Sequence, residues 1–231
     1  MKKSLLLALI LTVSSFSNML DTKQLIVVTT QNWSTPNGVL QRYKRIDNRW
    51  KKVGEQINIK LGRNGIGWGV GLHTIPKDAK IIKKEGDGKA PAGIFSLKQA
   101  FGYAPFSVKY PYKVYRETDH CVDDVHSKLY NKIVDSTKVQ KEYKSKEHMK
   151  FPKDYYKYGI VVNHNHMDEE GAKKGAGSCI FIHIKKVPTA GCTVMDEREL
   201  KGIIAWLDPN DQPLLLQGTE SVVKLLWKKL K

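Results

Sequence analysis

Acidic residues are scarce in this chain of 231 residues: 23 Asp and Glu stand against 39 Lys and Arg, a formal charge of +16. That balance permits an anionic partner: nucleic acid, a membrane surface or an acidic polymer. The plain alternative is that the lysines only solvate the surface. No internal repeat is present, which sets aside solenoids and propellers. Long apolar runs are missing as well. The one candidate, Ser4 to Val13, falls short of the roughly 20 residues a membrane span requires. Cysteine is limited to Cys121, Cys179 and Cys192, an odd number that leaves at least one thiol outside any intramolecular pairing.

The N-terminus has the order of a secretory signal: Met1-Lys2-Lys3, the apolar stretch, then Ser14-Ser15-Phe16-Ser17-Asn18. No cysteine follows that would carry a lipid anchor. The expected organisation is a signal peptide over 1–19 and one domain over 20–231, exported to the periplasm or cell-wall space without stable membrane insertion after cleavage. Export argues against nucleic acid and favours an anionic wall polymer.

The chemistry concentrates in Phe181-Ile182-His183 and Thr189-Ala190-Gly191-Cys192-Thr193-Val194. The small residues of the turn let backbone come close to a ligand. A thiolate is a strong nucleophile, and a nearby imidazole can take its proton. Amides around Gly191 and Thr193, with Thr189 shaping the turn, would hold an oxyanion. Taken alone, His183 in an apolar strand reads as a core histidine. With a Gly-Cys turn eight residues on, it reads as the base for Cys192. If Cys192 is the reactive thiol, Cys121 and Cys179 either pair or are small buried residues. Sequence leaves both open.

His164 and His166, one residue apart, would share a face of a strand. With Asp168 or Cys192 they suggest a zinc hydrolase. The competing and preferred reading is a polar loop without metal. The acidic spots Asp123-Asp124 and Glu85/Asp87 would hold a substrate amine, fix a lysine or arginine, or cap loops.

Strands are expected at Leu25–Thr30, Ile94–Leu97, Tyr158–Asn163, Cys179–Ile184 and Leu214–Gln217, with a hairpin-like stretch from Val39 to Val53. Gly62 to Gly71 reads as turns and bulged strand, with Trp68 packing or lining a groove. Residues 117–157 read as polar and partly helical. Asp196 with Glu199 reads as a capping box. It opens a helix whose Leu200, Ile203, Ile204 and Leu207 share one face. Ser221–Leu230 reads as a basic helix.

The His183…Thr189-Ala190-Gly191-Cys192 arrangement resembles the L,D-transpeptidase catalytic domain (YkuD-type) of bacterial cell-wall enzymes. The resemblance extends in order through Lys84-Glu85-Gly86-Asp87, Pro91-Ala92-Gly93, Phe101-Gly102-Tyr103, Val122-Asp123-Asp124, Tyr130-Asn131, Glu147-His148-Met149, Gly175-Ala176-Gly177-Ser178 and Trp206-Leu207-Asp208-Pro209. It implies a mainly β fold, a barrel or sandwich core with peripheral α-helices. It implies Cys192 as nucleophile and His183 as base, acting on peptidoglycan stem peptides with no metal or cofactor. The amide after the third stem residue is attacked, and a thioester forms. A second stem then makes a cross-link, or water trims the stem as in an L,D-carboxypeptidase. Cell-wall biogenesis and cell shape are the processes implied. Asn163, Ser178, Asp123, Asp124, Tyr130 and Trp68 are the expected surroundings of the groove. Ala190 stands where the common pattern has a second histidine, and Val194 where it has Asn or Arg. Those departures keep a different class in view, a non-catalytic wall-binding module.

Overall fold

The computed structural model describes Met19 and residues 21–230; the expected signal peptide lies outside the described residues apart from Met19. The chain forms β1 (Gln24–Thr30), β2 (Asn37–Ile46), β3 (Arg49–Lys60), β4 (Ile66–Trp68), β5 (Ala90–Gly102), β6 (Tyr112–Val114), β7 (Asp119–Val122), β8 (Ile133–Asp135) and β9 (Lys146–His148). Then follow β10 (Tyr158–Val162), β11 (Phe181–Ile184), β12 (Thr193–Met195), helix α1 (Glu197–Trp206), β13 (Leu214–Thr219) and helix α2 (Glu220–Trp227).

Eight strands close on themselves in the order β10-β11-β12-β3-β2-β1-β13-β5, and β5 returns to pair with β10. Closure removes free sheet edges. The β2–β3 hairpin turns on Asp47 and Asn48, whose φ angles of 50° and 57° match the two-residue turn that Asp and Asn tolerate. Side chains alternate along each strand. Ile26, Val28, Leu40, Ile59, Phe95, Ile160, Ile180, Ile182 and Leu215 form the main core together with Leu200, Ile203 and Ile204 of α1 and its C-cap Leu207. Helix α2 places Val222 and Leu226 on a second cluster with Leu25, Val27, Ile94 and Leu216.

A third cluster positions the site. Phe101, Val161, Phe181 and Cys192 pack with Tyr115, Cys121, Met149 and Tyr156. This joins the barrel wall at β5, β10 and β11 to a separate sheet ordered β8-β7-β9. Residues 117–157 are therefore not partly helical. They form three short strands and one 3₁₀ turn at Asp154–Tyr156. Each strand is too brief to set a periodicity in sequence, and each is held by its neighbour in the ladder.

The capping box at α1 is absent too. Asp196 is the N-cap in extended conformation, yet its side chain makes no capping bond. It lies 3.7 Å from Lys186, and Glu199 turns to Arg198. Leu200, Ile203 and Ile204 of α1 and its C-cap Leu207 are fully buried, as their spacing requires. The C-terminal helix starts one residue early at Glu220, capped by the Thr219 hydroxyl, and tightens to a 3₁₀ turn at Lys228–Leu230. Among the described residues, no helix is long and apolar enough to cross a membrane.

Candidate active site

Strands β11 and β12 run parallel, with His183 opposite Val194. Cys192 precedes β12 by one residue, so alternation puts Phe181, His183 and Cys192 on the outer face while Ile182 and Met195 enter the main core. The turn before Cys192 is built by Thr189. Its hydroxyl donates to the Cys192 carbonyl at 2.7 Å and accepts the Gly191 N–H at 3.0 Å. Thr189 thus shapes the turn, and the Gly191 amide is committed to it. Thr193 faces inward, and its hydroxyl donates to Gln217 at 2.7 Å.

Cys192 is buried, and Sγ accepts the Phe181 N–H at 3.3 Å. The thiol also lies 3.5 Å from the Cys179 carbonyl. Burial pushes this thiol well above its ordinary range. The nearby Glu147 charge pushes the same way, while the Phe181 amide, Lys83 and Lys185 oppose it. The resting sulfur is therefore a neutral thiol.

His183 is also neutral, lowered to about 4 by burial. Its Nδ1 lies 3.2 Å from the Tyr155 and Ile184 carbonyls. Both are acceptors, so Nδ1 carries the hydrogen and Nε2 is left basic. Among the described residues, the hydrogen bonds of His183 and Cys192 go to these other partners and not to each other. The Tyr156 ring stands edge-on to His183 at 4.8 Å, and its hydroxyl donates to Glu147 at 2.5 Å.

A cleft of about 170 Å³ opens onto Cys192, walled by Lys83, Glu85, Asp123, Glu147, Ser178 and Gly191 among others. Of the expected groove residues, Ser178 and Asp123 line it. Tyr130 stands behind, its hydroxyl shared between Glu85 (2.5 Å) and the Gly177 amide (3.1 Å). Asp124 caps its own loop by accepting the His126 amide and ties it to the segment before β9 by accepting the Lys144 amide. Asn163 reaches Ser96 and Glu169, away from the cleft. Trp68 is buried against Trp33 and His73 and lines a different hollow.

The His164–His166 tract is a loop, since Asn165, His166 and Asp168 all have positive φ. His164 is buried with Nε2 3.1 Å from the Ala176 carbonyl, and His166 lies outside near Glu169. The two imidazoles do not share a face. Cys121 and Cys179 form a disulfide across a Cα separation of 5.9 Å, which pins β7 beside the cleft and leaves Cys192 as the free thiol.

Sequence reasoning gave no role to Lys83, Glu147 or Tyr156. Glu147 stood in a motif of the resembling family, but nothing in a polar tract signals that its carboxyl ends beside a thiol. Glu147 is hemmed in by protein yet partly open to the cleft, and burial raises it to about 7 against the pull of its Tyr156 hydrogen bond.

No family model matches the chain, and no curated protein does. Two solved structures align with it, both of the helical cell shape determining protein Pgp2 from Campylobacter jejuni, one a point-substituted form. Each is 13% identical over 90% of this chain, with TM-scores of 0.39 and 0.37. The chain spans about half of their length, 54% and 55%. So distant a likeness leaves the site to be interpreted from its own geometry.

Proposed function

We propose that this protein is an exported, cysteine-dependent acyl transferase of L,D-transpeptidase type that acts on peptidoglycan stem peptides. The observation that carries the reading is the one thiol outside the disulfide, set on a Gly-Cys turn at the floor of a cleft, with a neutral histidine on the adjoining strand. The sequence resemblance supplies the substrate, and the basic surface suits a wall polymer rich in carboxylates.

In the proposed reaction, Cys192 gives its proton to Nε2 of His183, whose Nδ1–H is fixed by backbone carbonyls. Substrate entry brings the two groups into contact, since catalytic hydrogen bonds often close only in the complex. The sulfur attacks the amide carbon, and the Cys192 amide holds the oxyanion. The C–N bond breaks, the leaving amine takes the proton from His183, and a thioester remains. A second stem's amine then forms a new amide, or water forms a carboxylate, and the thiolate recovers its proton.

Digestion of purified tetrapeptide and pentapeptide muropeptides, followed by mass spectrometry, tests this. Cross-linked dimers made by wild type and not by Cys192→Ala are expected. Shortened stems alone would assign the L,D-carboxypeptidase reaction to the same thiol. Muropeptides left unchanged by both proteins would reject the reading in favour of a wall-binding module or a substrate outside the stem peptide.

A further inference from the structure

Lys83 is a cation that the reaction above leaves unused. Its side chain is 3% exposed. The ammonium donates to Asp87 Oδ1 and to the Lys84 carbonyl, each at 2.7 Å. An ammonium has three N–H donors, so one is left over after these two bonds. Lys83 lines the Cys192 cleft, and its Nζ lies only 3.8 Å from the point where a Cβ on Gly191 would sit. A charge held there by a salt bridge cannot swing away, and burial shields it from salt. The Gly191 amide is already taken by Thr189, so the turn is short of donors where negative charge would develop.

We propose that the buried Lys83 ammonium is the fixed positive charge that stabilises the Cys192 thiolate and the oxyanion formed next to it. The inference rests on Cys192 being the nucleophile. Lys83 acts within a mixed field. Glu147 on β9 disfavours the thiolate and Lys185 after β11 favours it; Asp123 after β7 and Glu85 on the Lys83 loop line the same cleft, and the neutral His183, His164 and Tyr156 complete the surroundings. Asp87 holds Lys83 and also offsets part of its charge.

The test is the pH dependence of Cys192 alkylation by iodoacetamide, in which the thiolate forms an S–C bond and releases iodide. The other two cysteines are in the disulfide, so the modified sulfur is identified by peptide mass. Lys83→Met is expected to slow alkylation at pH 7 by about tenfold or more, a midpoint one pH unit higher. Lys83→Arg should stay within about threefold of wild type, since the charge is kept. Should Lys83→Met fail to fold, Lys83→Gln serves instead: it removes the charge, keeps an N–H donor for the Asp87 carboxylate and is expected to raise the midpoint in the same way. A folded Lys83→Met or Lys83→Gln protein with the wild-type midpoint overturns the role of Lys83 alone. Muropeptide turnover that persists in Cys192→Ala overturns the proposed function, and this inference with it.

Discussion

The Tyr156 hydroxyl donates to the Glu147 carboxylate at 2.5 Å, and the same tyrosine ring stands against His183. One aromatic side chain thus ties an acid from the small sheet to the imidazole on the barrel wall. It sets the distance between these two titratable groups.

Glu147 carries a pH signature. Its carboxyl is raised to about 7 by burial, so between about pH 4.5 and 7 the folded protein binds more protons than the unfolded chain. Stability from this group is present at low pH and lost as pH rises through 7. Glu147→Gln, which still accepts the Tyr156 hydroxyl, should remove that loss and stabilise the protein at pH 8 by on the order of 2 kcal/mol. Urea midpoints at pH 5 and pH 8 check it; equal wild-type and variant slopes between them would contradict the assignment.

Buried histidines act with the opposite sign. His183 and His73 are lowered to about 4 and His164 to about 3, each chiefly by burial. Their contribution is full above about pH 6.5 and is lost as pH falls towards those values, because the unfolded chain takes the protons first. His164→Phe, which keeps the ring packed on Phe95, should weaken the acid dependence of the urea midpoint between pH 6.5 and 4. An unaltered profile would mean that His164 is protonated in the fold.

The disulfide closes a sequence separation of 58 residues and fastens the small sheet to the cleft. Loop-closure entropy gives it about 4 kcal/mol. Cys121→Ser with Cys179→Ser should lower the chemical unfolding free energy by roughly that amount. It should also raise the exposure of Cys192 to thiol reagents, since the Cys179 carbonyl is one of the sulfur's contacts. Unchanged stability would show that the third hydrophobic cluster holds the sheet without it.

Much of the barrel is legible in the chain because its strands carry their own signals. Leu25 to Thr30, Leu214 to Gln217 and the two runs around Ile160 and Ile182 are apolar and bounded by turn residues. The spacing of Leu200, Ile203, Ile204 and Leu207 defines the buried face of α1. Cys192 and His183 are legible as a thiol and an imidazole near one another in sequence. What sequence hides is set by distant pairing. Closure of β5 on β10, the ladder of β7 to β9, and the meeting of Cys121 with Cys179 all join residues far apart in the chain. Alternation on β12 turns the Thr193 side chain into the barrel, where it donates to Gln217, while the expectation for this residue concerns its backbone amide alone. Trp68 goes to a buried aromatic cluster instead of the groove. Lys83 follows two isoleucines with no pattern to mark a buried charge, and only the fold of residues 83–89 wraps Asp87 around it.

The central claim is that Cys192 becomes acylated by a stem peptide. Acid-quenched mixtures of protein and tetrapeptide muropeptide, analysed by peptide mass spectrometry, measure this directly. The expected result is a mass increase on the Cys192 peptide equal to the stem without its terminal residue, labile to hydroxylamine and absent from Cys192→Ala. Stem turnover that persists in Cys192→Ala, or conversion by wild type with no acylated Cys192 under any quench, would contradict it.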